Sequence, residues 1–507
     1  MTERPSARGN PGAAPQDDGD AAPGHAVSGR TAPPSSGGAF AAPGHAAPNH
    51  ADPPPSTAPA TPAAAAAPRW DAPCGRIIGW RDGPVDRATG IRYARAGRFE
   101  RPTPVAASSA EIHATEPAPA CPQPPMPFLD DVVGSNIGAL PQDEDCLRVS
   151  VTVPANTPPD AGLPVMVWIH GGSYASGAGD APFYDPRALV SEQRVVVVNV
   201  TYRLGLLGFL GDGADIPANL GLLDMIAALR WTRENIAAFG GDPANVTAFG
   251  QSAGGDAVAH LMIADGARGL FHRAVIQSAP FGLLAGRARM SELMATTASA
   301  LARDASLDDI RSMQQRVAKA ATRFGLKGQM PFGLQYGHAP LPPESELDRH
   351  WREAAPHVEI LVGNTTREAA LFTARIPPLL RRMNHPRKSR SVERILISPF
   401  TQRLYGRGAR RFAQRHVRSG GTGARYEFSW GVGRSPIAAA HISELPLLFP
   451  GPAWERTPMV EGHTWADVLA DGARLRRVWA DFARGEPVTS DSRAGLRVFP
   501  PDTGRAA

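Results

Sequence analysis

Several short stretches of this chain are apolar at consecutive rather than alternate positions, among them "PVMVWIH" (164–170), "VVVVNVTY" (195–202) and "EILVGN" (359–364). A strand with one face in water alternates apolar and polar residues, so unbroken runs demand cover on both faces, which a largely parallel sheet between two helical layers supplies. Other candidate strands are "RIIGW" (76–80), "LRVSVTV" (147–153), "NVTAFGQ" (245–251), "RAVIQS" (273–278) and "RYEFSW" (425–430). Helical patterns lie between them. The segment 219–239 puts Leu223, Ile226, Ala227, Trp231, Ile236 and Ala237 on one stripe, and Gly240, Gly241 and Pro243 stop it. A second helix is predicted over 254–264. The pattern therefore predicts an α/β class, with a central, mostly parallel β-sheet flanked by helices.

Not all 507 residues fit that scheme. Residues 1–68 are dominated by Ala, Pro, Gly and Ser and contain a single aromatic, Phe40, so a disordered tail is expected there and a folded domain over 69–507. The tail lacks the continuous apolar run of a secretory signal, which favours a cytoplasmic protein; a disulfide, if formed, keeps secretion open. No stretch is long and apolar enough to predict a membrane span. Net charge is +5, and residues 381–418 hold twelve Lys and Arg against one acid, Glu393. That segment reads as a solvated helical surface or as a patch attracting anions. No nucleic-acid motif accompanies it. The three cysteines, Cys74, Cys121 and Cys146, lack C-x-x-C spacing and predict no metal site. A bond between Cys121 and Cys146 would close a loop worth about 3.5 kcal/mol, and sequence alone leaves the pairing open.

Chemistry is concentrated around "GQSAGG" (250–255), a Gly-x-Ser-x-Gly pattern. Chance alone would produce it about 0.3 times in a chain this rich in glycine, so context must decide. Ser252 falls between the strand 245–251 and the helix 254–264, where a tight strand-to-helix turn exposes a serine and the helix N-terminus favours developing negative charge. A hydroxyl needs a base to become a nucleophile, and the oxyanion it creates needs N–H donors. "HGGSY" (170–174) follows a strand and offers such donors, to be paired with the N–H of Ala253. An acid and then a histidine should come later in the chain. Glu368, in "GNTTREAALF" (363–372), leaves a buried-type strand. Of the histidines beyond it, His385, His416, His441 and His463, the best placed is His441. By pattern alone neither choice is settled.

Taken together, "GIRYA" (90–94), "EDCLRVSV" (144–151), "PVMVWIHGGSYASG" (164–177), "VNVTYRLGLLGFL" (198–210), the whole of 219–255, "GNTTREAALF" and "HISELPLLF" (441–449) resemble the type-B carboxylesterases, the α/β-hydrolases that include cholinesterases and bacterial para-nitrobenzyl esterases. The resemblance runs over most of residues 75–485. It implies the α/β-hydrolase fold, Ser252 as nucleophile, Glu368 as acid, His441 as base, and an oxyanion hole from the N–H groups of Gly172, Ser173 and Ala253. It also implies a disulfide between Cys121 and Cys146, and a supporting role for Ser278 toward the acid; a buried serine bonded to its own strand is the equal alternative. Two departures stand out. The residue before the nucleophile is commonly Glu in this family and is Gln251 here, and the loop 122–145 has no Trp for a cation–π contact with choline, so a choline ester is not expected.

The expected activity is hydrolysis of small-molecule carboxylic esters through an acyl-enzyme, with neither metal nor organic cofactor required. Two alternatives remain: a non-catalytic binding module on the same fold, or cleavage of carbamates, thioesters or lactones. Sequence is silent on oligomeric state.

Overall fold

Residues 66–211 and 215–500 are described by the computed structural model. The tail expected over 1–68 lies, up to residue 65, outside the described residues.

Ten strands form the central sheet: β1 (Trp80–Asp82), β2 (Val85–Arg92), β3 (Arg148–Pro154), β4 (Leu163–Ile169), β5 (Val196–Thr201), β6 (Gly241–Gln251), β7 (Arg273–Gln277), β8 (Glu359–Thr365), β9 (Gly423–Phe428) and β10 (Leu496–Phe499). Across the sheet they follow the order β10-β9-β8-β7-β6-β4-β5-β3-β2-β1. The run from β9 to β5 is parallel throughout. Both ends are antiparallel, β3, β2 and β1 on one side and β10 on the other. This is the α/β-hydrolase arrangement, a mostly parallel sheet with flanking helices.

The unbroken apolar runs have the cause inferred for them. Along β4, Val165, Val167 and Ile169 enter one hydrophobic core while Met166 and Trp168 enter another on the opposite face. In β5, Val196, Val198 and Val200 join the first core and Val197 the second. Each such side chain, withdrawn from water, contributes roughly 1.5–3 kcal/mol. Helices close both cores. On one face lies α2 (Leu220–Asn235), bringing Leu222, Met225, Ile226 and Leu229; on the other lies α9 (Trp465–Arg484), bringing Val468, Leu475, Trp479 and Phe482. Between them in the chain come α3 (Ala253–Leu261), α4 (Ala369–Ala374), α5 (Pro377–Met383), α6 (Ser389–Val392), α7 (Ser398–Thr401) and α8 (Arg407–Arg418), while α1 (Pro127–Val133) precedes them all.

Three details differ from the sequence reading. The stripe on α2 is rotated: Leu223 and Ala227 are only half-buried and Ala237 is exposed, whereas Asp224 is fully buried. Asp224 can be there because Arg203 grips it with two bonds, Nε to Oδ2 at 2.8 Å and a second terminal nitrogen to Oδ1 at 2.7 Å. The run "RIIGW" is not one strand. Gly75–Ile78 belongs to a small separate sheet and Trp80 begins β1; the break is Gly79, where a Cβ would sit 2.1 Å from the Arg87 carbonyl oxygen. The third concerns the cysteines. Cys121 and Cys146 are free buried thiols, not a disulfide; they hydrogen-bond to each other, which with burial holds the Cys146 thiol well above its ordinary pKa.

Candidate active site

Ser252 occupies the single residue between β6 and α3, with φ 58° and ψ −122°. A non-glycine residue held there stores on the order of 1–3 kcal/mol, and the surroundings must enforce it. Two backbone bonds do so: the Ser252 N–H donates to the Gln277 carbonyl at 2.9 Å, and the Asp256 N–H donates to the Ser252 carbonyl at 2.9 Å. The turn is tight enough to need glycine at 254, where a Cβ would lie 2.0 Å from the Ile169 carbonyl oxygen. The hydroxyl makes no hydrogen bond with any described residue.

Facing it is the loop after β4. Gly172, Ser173 and Tyr174 all have positive φ, of 110°, 57° and 57°. A Cβ at Gly172 would collide with the Ser176 carbonyl at 2.0 Å, so only glycine lets the loop close. No acceptor among the described residues takes the N–H of Gly172, Ser173 or Ala253. The last of these is fully buried, a costly state that a ligand oxygen would relieve.

Residues that the sequence reading did not single out hold this loop. The Tyr174 hydroxyl donates to Asp256 Oδ2 at 2.7 Å, linking the loop to the helix that follows Ser252. His260 Nδ1 points at the Asp256 backbone carbonyl at 2.8 Å, with Oδ1 3.0 Å away, and its Nε2 meets the Tyr336 hydroxyl at 3.1 Å. His170 stacks on Tyr202 at 4.3 Å, and burial lowers its pKa to about 4, so it is neutral at physiological pH. The one sequence cue was position: Asp256 and His260 lie one and two turns beyond the elbow on α3.

The acid and base of the sequence reading come together. Glu368 stands at the head of α4, completely buried; its Oε1 accepts the Thr365 N–H at 2.7 Å and its Oε2 lies 2.5 Å from His441 Nδ1. The second ring nitrogen, Nε2, faces the Gln251 carboxamide nitrogen at 3.4 Å. No bond joins it to Ser252 Oγ. With Nδ1–H donated to the carboxylate, Nε2 is an acceptor, and the amide of Gln251 donates to it. The His441 ring is flanked by Tyr405 at 5.1 Å and Phe372 at 5.6 Å.

Ser278 does neither thing expected of it. Its backbone is left-handed, with φ 49°, and its hydroxyl is buried without a partner, bonded neither to Glu368 nor to its own strand. The Thr365 N–H supplies the support that Glu368 needs. A second buried carboxyl, Glu444, went unnoticed in the sequence. Gln277 Nε2 donates to its Oε1 at 3.4 Å while Oε2 is unpaired, and burial, with the nearby charge of Glu368, raises its pKa to about 7.

The profile of the carboxylesterase family matches residues 66–405. The chain belongs to the carboxylesterase family. This carboxylesterase is 36% identical over 422 residues to a probable N-octanoylanthranilate hydrolase of Rhodococcus erythropolis, covering 81% of this chain and 91% of that one. It is 33% identical to the para-nitrobenzyl esterase of Bacillus subtilis, covering 82% and 89%. Among solved structures, a thermophilic para-nitrobenzyl esterase superposes with a TM-score of 0.66 at 28% identity, covering 83% of this chain and 92% of that one. A Geobacillus stearothermophilus carboxylesterase gives 0.65 at 28%, covering 86% and 98%. The protein is thus a hydrolase of carboxylic esters, and its substrate is a small-molecule ester.

Proposed function

We propose that this carboxylesterase works through a Ser252–His441–Glu368 triad and an acyl-enzyme. Ser252 Oγ attacks the ester carbonyl as His441 Nε2 takes its proton, and Glu368 holds the ring with Nε2 free and stabilises the imidazolium. The N–H groups of Gly172, Ser173 and Ala253 receive the oxyanion. When the tetrahedral adduct collapses, the C–O bond to the alcohol breaks and His441 returns the proton to the leaving oxygen. Water then enters by the same route, gives its proton to Nε2 and releases the acid.

The observation that carries this reading is the 2.5 Å contact between Glu368 Oε2 and His441 Nδ1, which leaves Nε2 as an acceptor against the side chain of Gln251, the residue that precedes the strained Ser252. The missing bond from Ser252 Oγ is no obstacle, since catalytic hydrogen bonds commonly form only with substrate in place. Rotation of the hydroxyl toward Nε2, with the Gln251 amide yielding, completes the triad.

The test is labelling with a fluorophosphonate, followed by peptide mapping. The adduct is expected on Ser252, and Ser252→Ala should lower kcat by on the order of 10⁶. Retention of comparable activity in that variant, or labelling elsewhere, overturns the assignment. Turnover of matched esters, thioesters and carbamates then fixes the bond preference.

A further inference from the structure

The helices after Glu368 carry a surface that ester hydrolysis does not explain. Chain 369–401 folds into a small lobe, α4 to α7, packed on itself and beside the site. Arg381, Arg382, Arg387, Lys388, Arg390 and Arg394 project from it to solvent, and none pairs with a carboxylate among the described residues. The lobe's single acid, Glu393, is already engaged: its Oε2 accepts from Arg367 Nε at 3.0 Å. Uncompensated positive charge at this density is repulsive, and no carboxylate among the described residues relieves it.

The same lobe exposes large apolar side chains. Of the six large hydrophobic residues exposed in the described structure, three are here: Phe372 at 41%, Ile376 at 49% and Ile395 at 62%. Cations alone would suit any polyanion. Cations interspersed with bare apolar side chains suit a surface that is both negatively charged and greasy beneath, namely a bilayer containing anionic lipid. No described helix is long and apolar enough to cross a membrane.

Position gives the surface a purpose. Phe372, on the first helix of the lobe, is both part-exposed and 5.6 Å from the His441 ring. One turn later Arg375 stacks over the Phe128 ring of α1 at 4.4 Å, so the lobe reaches the loop between Cys121 and Cys146. We propose that the α4–α7 lobe docks the enzyme on anionic lipid bilayers, bringing the part-exposed Phe372 beside His441 against the membrane, where apolar esters concentrate. The inference goes beyond the triad and does not depend on it.

Co-sedimentation of the full chain with vesicles tests it, using pure phosphatidylcholine against an equimolar mixture with phosphatidylglycerol. Binding is expected only to the mixed vesicles, weakening as salt rises. The combined change Arg381→Glu, Arg382→Glu and Arg387→Glu should weaken it at least ~tenfold, with Tm reporting that the variant is folded. Ile395→Ser, which alters no charge, should weaken it as well, and Ser252→Ala should bind like the parent. Equal affinity for both vesicle types, or full binding by the charge-reversed chain, overturns the proposal. So does retention on heparin without any loss in Ile395→Ser, which would mark a soluble polyanion as the partner.

Discussion

The phenol of Tyr174 donates to the carboxylate of Asp256 at 2.7 Å, and both groups are buried. Tyr174 belongs to the loop that offers the Gly172 and Ser173 N–H groups, and Asp256 to the helix that offers the Ala253 N–H. One hydrogen bond therefore links the two halves of the proposed oxyanion hole.

Tyr174→Phe keeps the ring and removes the link. Because a buried carboxylate loses a donor, stability should fall by about 1–3 kcal/mol. Looser donors should lower kcat roughly tenfold with KM little changed, a fraction of the 10² to 10³ that follows loss of a whole donor. Steady-state kinetics on a p-nitrophenyl ester together with urea unfolding checks both parts; an equal fall in kcat and rise in KM would speak for general damage instead.

Gln251→Glu would put a carboxylate where an amide now faces His441 Nε2 at 3.4 Å. A negative charge there favours the imidazolium, so the base holds its proton to higher pH. The acidic limb of kcat/KM should move upward, by about one pH unit, and cationic esters should be better tolerated. A pH profile that superimposes on the parent's would exclude any electrostatic reach from position 251 to the base.

Glu444 gives the fold its own pH dependence. Its pKa in the folded chain is raised to about 7 from an ordinary 4.5, so the folded state binds the proton more tightly than the unfolded state does. The stability this contributes is fully present below 4.5 and is lost as pH rises through 7. Glu444→Gln removes the titration. The variant should gain on the parent between those limits, by at most about 3 kcal/mol, and the gap should be flat above. Unfolding midpoints of both proteins across that range decide it; a gap independent of pH would assign the proton elsewhere.

Asp224→Asn leaves Arg203 buried with its counter-charge gone. The expected cost is about 3–5 kcal/mol, measurable by denaturant unfolding, because desolvation of the guanidinium is then uncompensated. A loss below 1 kcal/mol would mean that water reaches the pair.

How much of this was legible in the sequence depended on whether local chemistry matched the final environment. The elbow around Ser252 and the runs in β4 and β5 were readable because their residue types suit what surrounds them. Strand β2 was not. Its "VDRATGIR" looks like a polar loop, yet Asp86 and Arg87 are buried within ion pairs to Arg81, Asp82 and Asp185, partners that only the fold supplies. Glu444 was legible only in part: His441, three residues earlier, places it near Glu368, but nothing in the chain shows that its side chain is withdrawn from water. For Ser278, likeness offered a role toward the acid and the local pattern a bond to its own strand; its backbone is left-handed and its buried hydroxyl makes neither contact.

The sheet closes at one border with a three-residue strand, Trp80–Asp82, and at the other with a four-residue strand, Leu496–Phe499, which Pro500 follows. So little free backbone is left at either margin that a second molecule would gain few ladder bonds by adding itself to the row. Self-association of this enzyme, in crowded or concentrated conditions, should therefore be sought between helical faces, and the borders act as a built-in guard against fibre-like stacking.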